Sequence, residues 1–421
     1  MTQDNIEILK SNGCYSADWN RVHIHPATDL SLIRATEFEG DVEIGLLDRS
    51  IFPKCGISHA LLDNCKIGNG TRIRYVTGGL HNVVVGDEAE IENCASVTIT
   101  QGSRCGVGTA VSVLDETGSR EVIIYPGLSA QIAMLMARGR RSEAARLRDN
   151  ISALIENNEL RVDPSIGCRC IIRNCGPIKD VAVGHNVIID SARYLENGAF
   201  INNLPDDQSV IMAGPGTDAV NFIVEDGRID SGSLIRNCYV GQGSRLEKGF
   251  TAHDSLFFAN CSMENGEACA LFAGPYSVSM HKGTLLIGCQ TSFLNAGSNT
   301  NESNHMYKLG PVHWGVLERG VKTSSGSYLM LGANIGAFSL LMGAHKTHPD
   351  SREFPFSYLF GDPQGATVVV PGVMLRSCGL LRDEKKWPIR DRRKSHSGLP
   401  EFDKVICDVL NPVTVDAMIR A

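Results

Sequence analysis

Apolar and small residues recur at every sixth position over most of this chain. Ile67 and Ile73 are six apart, as are Val85, Ile91 and Val97, Val183 and Ile189, and Val240, Leu246 and Ala252. Leu329, Ile335 and Leu341 keep the same step, beside Gly320, Gly326 and Gly332. A period of six is neither the roughly 3.6 residues of a helix nor the roughly 2 of a flat strand. It fits a coil of short straight segments, each turning one small or aliphatic side chain inward. The expected fold is mainly β: a single-stranded parallel β-helix of hexapeptide repeats with an inserted helical hairpin. Met263, Cys269, Pro275 and His281 continue the step, which puts His281 inward or in a cleft between subunits.

Asn-Cys pairs punctuate the repeats at Asn64-Cys65, Asn93-Cys94, Asn174-Cys175, Asn237-Cys238 and Asn260-Cys261. Two continue almost alike, NCKIGNGTRI (64–73) and NCYVGQGSRL (237–246). Cysteine suits an inward corner as a small apolar residue. Asparagine suits the turn, because it tolerates left-handed φ and bonds the local backbone. The 43 glycines are spread along the 421 residues, which marks many tight turns and not a linker. Fourteen cysteines without a CxxC pair imply free thiols in a reducing compartment; Cys168 and Cys170 form a lone CxC, a weaker metal or redox signal.

A formal charge of −7 argues against general binding to nucleic acid or an anionic membrane. No apolar run reaches the length of a spanning helix. The start, MTQDNIEILK, lacks the pattern of a signal peptide, so a cytoplasmic location is expected. In chain order the organisation reads as a lead-in with a short helix (1–40), a first batch of coils (41–125), a helical insertion (126–163), a second batch with long loops (164–380), and a basic tail with a C-terminal helix (381–421). The insertion is rich in good helix formers. Pro126 suits a first helical position, and Gly139 divides the segment in two. Leu128, Ile132, Leu135 and Met136 recur at helical spacing before it, as do Leu147, Ile151, Leu154 and Ile155 after it. These apolar faces need a partner, either the β-wall or another subunit.

The repeats NCKIGNGTRI and NCYVGQGSRL resemble those of the hexapeptide-repeat superfamily, trimeric left-handed β-helix proteins that include sugar acyltransferases. Three longer stretches, EVIIYPGLSAQIA, LNAGSNTNESNHMYKLGPVHWGVLERG and IGAFSLLMGAHKTHPDSREFPFSYLFG, resemble a bacterial family of uncharacterised hexapeptide-repeat proteins from Bacteroidetes and spirochaetes. The resemblance implies the left hand of the coil and a homotrimer. Spacing alone does not, since parallel crossovers are normally right-handed.

The superfamily's acyltransferases use a histidine as general base on a hydroxyl or amine that attacks a thioester. That chemistry needs a base titrating near neutrality within hydrogen-bond reach of the nucleophile. The segment SNHMYKLGPVH offers His305 as first choice of base, with His313, and Asn304 and Lys308 as substrate contacts. AHKTHPD adds His345 and His348 as catalytic candidates and Lys346 as a substrate contact, completing a site across a subunit boundary, with Asp350 orienting one imidazole; Lys308 is the phosphate or carboxylate contact. His281 is a further substrate contact. The expected function is acyl transfer from a thioester, acyl-CoA or acyl-carrier protein, to a sugar or nucleotide-sugar, with no tightly bound cofactor or metal. One alternative is a non-catalytic trimeric scaffold or ligand-binding protein. Another is a zinc site like that of γ-class carbonic anhydrases, which SMHKGTLLIGC resembles in part, with Met280 where that family has glycine. There is no GxSxG elbow and no P-loop.

Overall fold

Six isoleucines lie one above another in register: Ile33, Ile57, Ile73, Ile91, Ile172 and Ile189 are parallel-strand partners in turn, and each is fully buried. Isoleucine suits this position because its branched side chain packs well on a pleated surface and keeps one rotamer. The ladder belongs to a computed structural model that describes residues 1–115, 118–203, 208–303, 314–395 and 400–421, apart from the side chains of 394 and 395. The protein is mainly β, dominated by parallel pairing, with few helices. Two hairpins are antiparallel, Ala110–Ser112 with Glu121–Ile123 and Tyr358–Gly361 with Thr367–Val370.

The chain folds as two compact units that are not consecutive in sequence. The first comprises residues 1–107 and 160–232. It opens with helix α1 (Gln3–Ser11), whose N-cap Thr2 accepts a hydrogen bond from the Asn5 N–H. Its ladders run from residue 98 to residue 165 as if the intervening segment were cut out: Ile91 pairs with Ile172, and Val97 with Ile178. The insertion and the long stretch after residue 232 make the second unit, residues 108–159 and 233–421. The two units are therefore interleaved along the sequence.

Asparagine does at the corners what its chemistry predicts. Asn64, Asn93, Asn174, Asn237 and Asn260 all have φ between 51° and 63°, the left-handed region that asparagine tolerates best after glycine. Asn93 Nδ2 donates to Asn174 Oδ1 at 2.8 Å, so the amides themselves form a ladder. The following cysteines are core residues. Burial pushes the Cys65 thiol up to about 11 and those of Cys170, Cys238 and Cys261 to about 12. All fourteen cysteines are free, and the thiols named here stay protonated at neutral pH. Cys170 Sγ donates to the Gly184 carbonyl at 2.8 Å, a packing role for the CxC pair.

In the second unit each strand from Thr251–Phe257 to Tyr328–Met330 pairs with the third strand after it, so three ladders alternate along that stretch. One inward column runs Ile235, Ala252, Ala268, Leu286, Glu302, Leu329, His345. The successive steps of 16 to 18 residues, broken only by 27 between Glu302 and Leu329, give one turn of chain each. A strict step of six fails after Met263: the inward residues are Ala268 and Ser279, reached through turns of 16 residues. Cys269 is thereby shifted to partial burial, and His281 is exposed. The inward placement expected for His281 is corrected by these shorter turns.

On another ladder Tyr239, Leu256, Phe272, Gln290, Val316 and Asn334 are partners in turn. They alternate with the inward row Val240, Phe257, Ala273, Thr291, Leu317 and Ile335, so they point outward. Tyr239, Leu256, Phe272 and Val316 are nonetheless buried. The insertion reaches this face: Leu114 N–H donates to the Ala270 carbonyl at 2.7 Å, and Arg138 bonds Gln290. The insertion holds helices α2 (Ala130–Arg138) and α3 (Arg141–Glu156). Helix α2 begins after N-cap Ser129, four residues later than a start at Pro126 would give. Helices α4 (Cys378–Ile389) and α5 (Pro412–Arg420) complete the unit. Among the described residues no helix is long and apolar enough to cross a membrane.

Candidate functional site

Asn304, His305, Lys308 and His313 lie outside the described residues. His345 is fully buried in the inward column; its Nδ1 is 2.8 Å from Thr367 Oγ1, and burial lowers its pKa. It is a neutral core imidazole. His348 sits at φ 46°, with Nδ1 2.6 Å from the Leu331 carbonyl oxygen. The two rings thus have different partners and do not share one. Lys346 and His281 are exposed. Among the described residues Asp350 orients no imidazole: Arg352 grips it with Nε at 3.0 Å and Nη2 at 2.5 Å, which holds the carboxyl below its ordinary range.

The inward column hides one carboxyl group. Glu302 is fully buried, and neither of its oxygens has a hydrogen-bond partner among the described residues. Gly315 makes the space, since a Cβ there would stand 2.1 Å from Glu302 Oε1. Burial raises the Glu302 pKa to about 8, against an opposing interaction with the Cys289 thiol. The group is therefore a neutral acid at physiological pH.

The chemistry that faces solvent lies on the insertion. A cavity of about 460 Å³ is lined by Arg120, Arg138, Arg141, Arg148 and Trp314, with Ser119 and Gly139. None of its described lining residues is acidic. Its walls follow from the local folding of helix α2. Ser129 Oγ accepts from the Ile132 N–H at 3.3 Å, and Asp403 Oδ1 accepts from the Ala130 N–H at 2.6 Å. The other oxygen of Asp403 accepts from the Ala259 N–H at 2.8 Å, so one buried carboxylate ties the helix start to the coils. The helix stops at Gly139, where a Cβ would meet the Leu135 carbonyl oxygen at 2.4 Å. Its last carbonyls are then capped by cations: Arg148 Nη1 donates to Met136 and Arg120 Nη1 to Ala137, each at 2.9 Å. Arg120 also lies over the Trp314 indole, 3.8 Å from its centre, and its buried Nε has no partner among the described residues. Partial desolvation lowers the Arg138 pKa, and the charges of Arg120 and Arg352 act in the same direction.

Arg138 couples this cavity to a second one. Glu318 opposes the lowering at Arg138, and Arg138 in turn opposes the rise that burial causes in Glu318. Glu318 lines a cavity of about 500 Å³ with Asp350, Arg352, Glu353, Phe354 and Arg420 among its walls. An arginine pocket suited to anions thus lies within electrostatic reach of a mixed pocket holding a carboxylate without a hydrogen bond among the described residues. In the sequence the insertion's arginines look like an ordinary solvated helix face, which hides the pocket. The visible signal is Arg141 and Arg148, seven residues and therefore two turns apart on one helix. Among the described residues no three His, Cys, Asp or Glu side chains are grouped to hold a metal ion.

Fold and site together define a mainly β protein, dominated by parallel strands, in which a helical insertion carries a cationic pocket. The chain belongs to the family described as Domain of unknown function (DUF4954), whose pattern it matches over residues 1–421. A protein of Treponema pallidum (strain Nichols), named only as uncharacterized, is similar at 22% identity over 440 residues. That similarity covers 98% of this chain and 60% of the relative, so the chain spans about three fifths of the relative's length.

Proposed function

We propose that this protein is a hexapeptide-repeat transferase, a homotrimer of left-handed β-helices that moves an acyl group from a thioester such as acyl-CoA to a sugar or nucleotide-sugar. The three alternating parallel ladders and their small or aliphatic inward residues support the β-helix; the left hand and the trimer come from the resemblance of the repeats. The observation that carries the ligand is the arginine cavity. Four guanidinium groups with no carboxylate among the described lining residues repel one another until an anion enters, and arginine matches phosphate oxygens with paired donors. A coenzyme A donor brings such phosphates. The resemblance offers His305 and His313 as bases, and their segment ends one residue before Trp314 of the cavity wall.

Thermal unfolding with coenzyme A, acetyl-CoA and UDP-N-acetylglucosamine tests this. A ligand held at a hundredfold its dissociation constant should stabilise the protein by about 2.7 kcal/mol. The variants Arg138→Gln and Arg141→Gln, which leave the capping arginines in place, should remove most of that gain. Absence of any change in unfolding temperature with all three compounds sinks the transferase and leaves the scaffold reading.

A further inference from the structure

We infer that the cavity beside Arg138 receives the acceptor as a primary amine, such as an amino sugar, and that Glu318 binds this amine and takes its proton. The inference rests on the acyl-transfer reading and assigns its second substrate. Glu318 follows the strand Gly315–Leu317, and its backbone N–H is fixed to the Ile335 carbonyl at 3.0 Å. Its carboxylate makes no hydrogen bond or ion pair among the described residues, although it lines the cavity. The neighbouring acids are engaged: Asp350 with Arg352, and Glu353 with Arg420 at 3.9 Å. Three carboxylates (Glu318, Asp350, Glu353) against two guanidiniums (Arg352, Arg420) leave the lining with one net negative charge. The arginine pocket is wholly cationic. A phosphorylated donor and an ammonium-bearing acceptor are thus sorted to opposite sides of Arg138.

Phe354, Pro355, Val413 and Ala417 give the acceptor cavity apolar walls. Burial raises the Glu318 pKa, and Asp350 adds to the rise against Arg138 and Arg352. A carboxylate moved toward neutrality is a better proton acceptor at physiological pH. In the reaction the ammonium gives one proton to Glu318, and its freed electron pair attacks the thioester carbonyl carbon. The C–N bond forms, the C–S bond breaks, and the leaving thiolate takes a second proton from the attacking nitrogen.

Titration calorimetry with glucosamine, glucose and coenzyme A, on the wild-type protein and on Glu318→Gln, tests the assignment. Glucosamine should bind more tightly than glucose to the wild type. The variant should lose about tenfold or more for glucosamine, as removal of a charged hydrogen-bond partner does, with glucose and coenzyme A unchanged. Acetyl transfer to glucosamine should fall by about 10²–10⁴-fold and lose the acidic limb of its pH profile. Equal glucosamine affinity in the two proteins overturns the inference, as does a variant that keeps the wild-type pH profile. Failure of coenzyme A to bind the wild type overturns the transfer reading and the proton-removal step with it. The glucosamine comparison needs no donor and decides the amine-binding role of Glu318 separately.

Discussion

The two units fill comparable inward columns with opposite chemistry. Residues 33 to 189 of the first unit stack isoleucine on isoleucine. In the second, the column Ile235 to His345 replaces two aliphatic positions with Glu302 and His345. Both backbones run in parallel register, so pairing does not require an aliphatic interior throughout. What differs is the local space: Gly315, on a neighbouring ladder, yields room to Glu302, whereas Ile172 lies between Ile91 and Ile189 and no described glycine opens space against it. The uniform column specifies register and stability. The mixed one gives up apolar contact in the unit that also carries the two cavities, as expected where function competes with packing.

The sharpest way to break this comparison is to exchange the residues. Ile172→Glu should cost more than about 5 kcal/mol, because it buries a carboxyl where neither space nor a partner exists. The expected outcome is no cooperative unfolding transition at neutral pH by circular dichroism. Glu302→Met should be neutral or stabilising, since a buried ionisable group gives way to an apolar one of similar length. If the two exchanges cost the same, the difference between the columns has no energetic meaning.

A smaller effect follows from titration. The Glu302 pKa is raised from 4.5 to about 8 by burial, so the folded state holds a proton that the unfolded chain has already lost. The stability linked to it is fully present below about pH 4.5, declines as the pH rises, and is gone above about pH 8. The total is on the order of 5 kcal/mol, because each tenfold gain in proton affinity on folding is worth about 1.4 kcal/mol. Urea midpoints between pH 5 and 9 should fall for the wild type and stay flatter for Glu302→Gln. Parallel pH curves for the two proteins would remove Glu302 as the source.

Much of the fold could be read from the sequence because its cause is local and periodic. Leu329, Ile335 and Leu341 are buried as their spacing says, and each asparagine before a cysteine adopts left-handed φ because the chain must turn there. The step failed where a turn lost residues, since one residue's slip moves every later side chain to the other face; Cys269 and His281 show it. The site was less legible. Histidine type alone could not separate His345, enclosed in the core, from a residue in contact with solvent. The arginine cavity depends on Arg120, Arg148 and Trp314 coming together from distant segments, and nothing periodic marks that.

The smallest effect separates the corner asparagines of the two units. Asn174 bonds the Asn93 amide, but its main task is to hold φ 56°. Glycine adopts that φ without strain, so Asn174→Gly should cost about 1–2 kcal/mol, the value of its bonds to Asn93 and Asp190. Asn260 has the same left-handed φ, 63°, and a second task. Its Nδ2 donates to Asp391 at 2.8 Å, and its Oδ1 accepts from the Arg392 N–H at 2.9 Å, which fastens the segment after helix α4 to the coils. Asn260→Gly keeps the turn but orphans the Arg392 N–H and withdraws one partner from buried Asp391. It should therefore cost about 1–3 kcal/mol more than the change at Asn174. Limited proteolysis should cut residues 390–410 earlier in the Asn260 variant than in the Asn174 variant. Equal unfolding midpoints and equal cleavage rates would mean that the tail is held by Arg392, Arg393 and Asp403 alone.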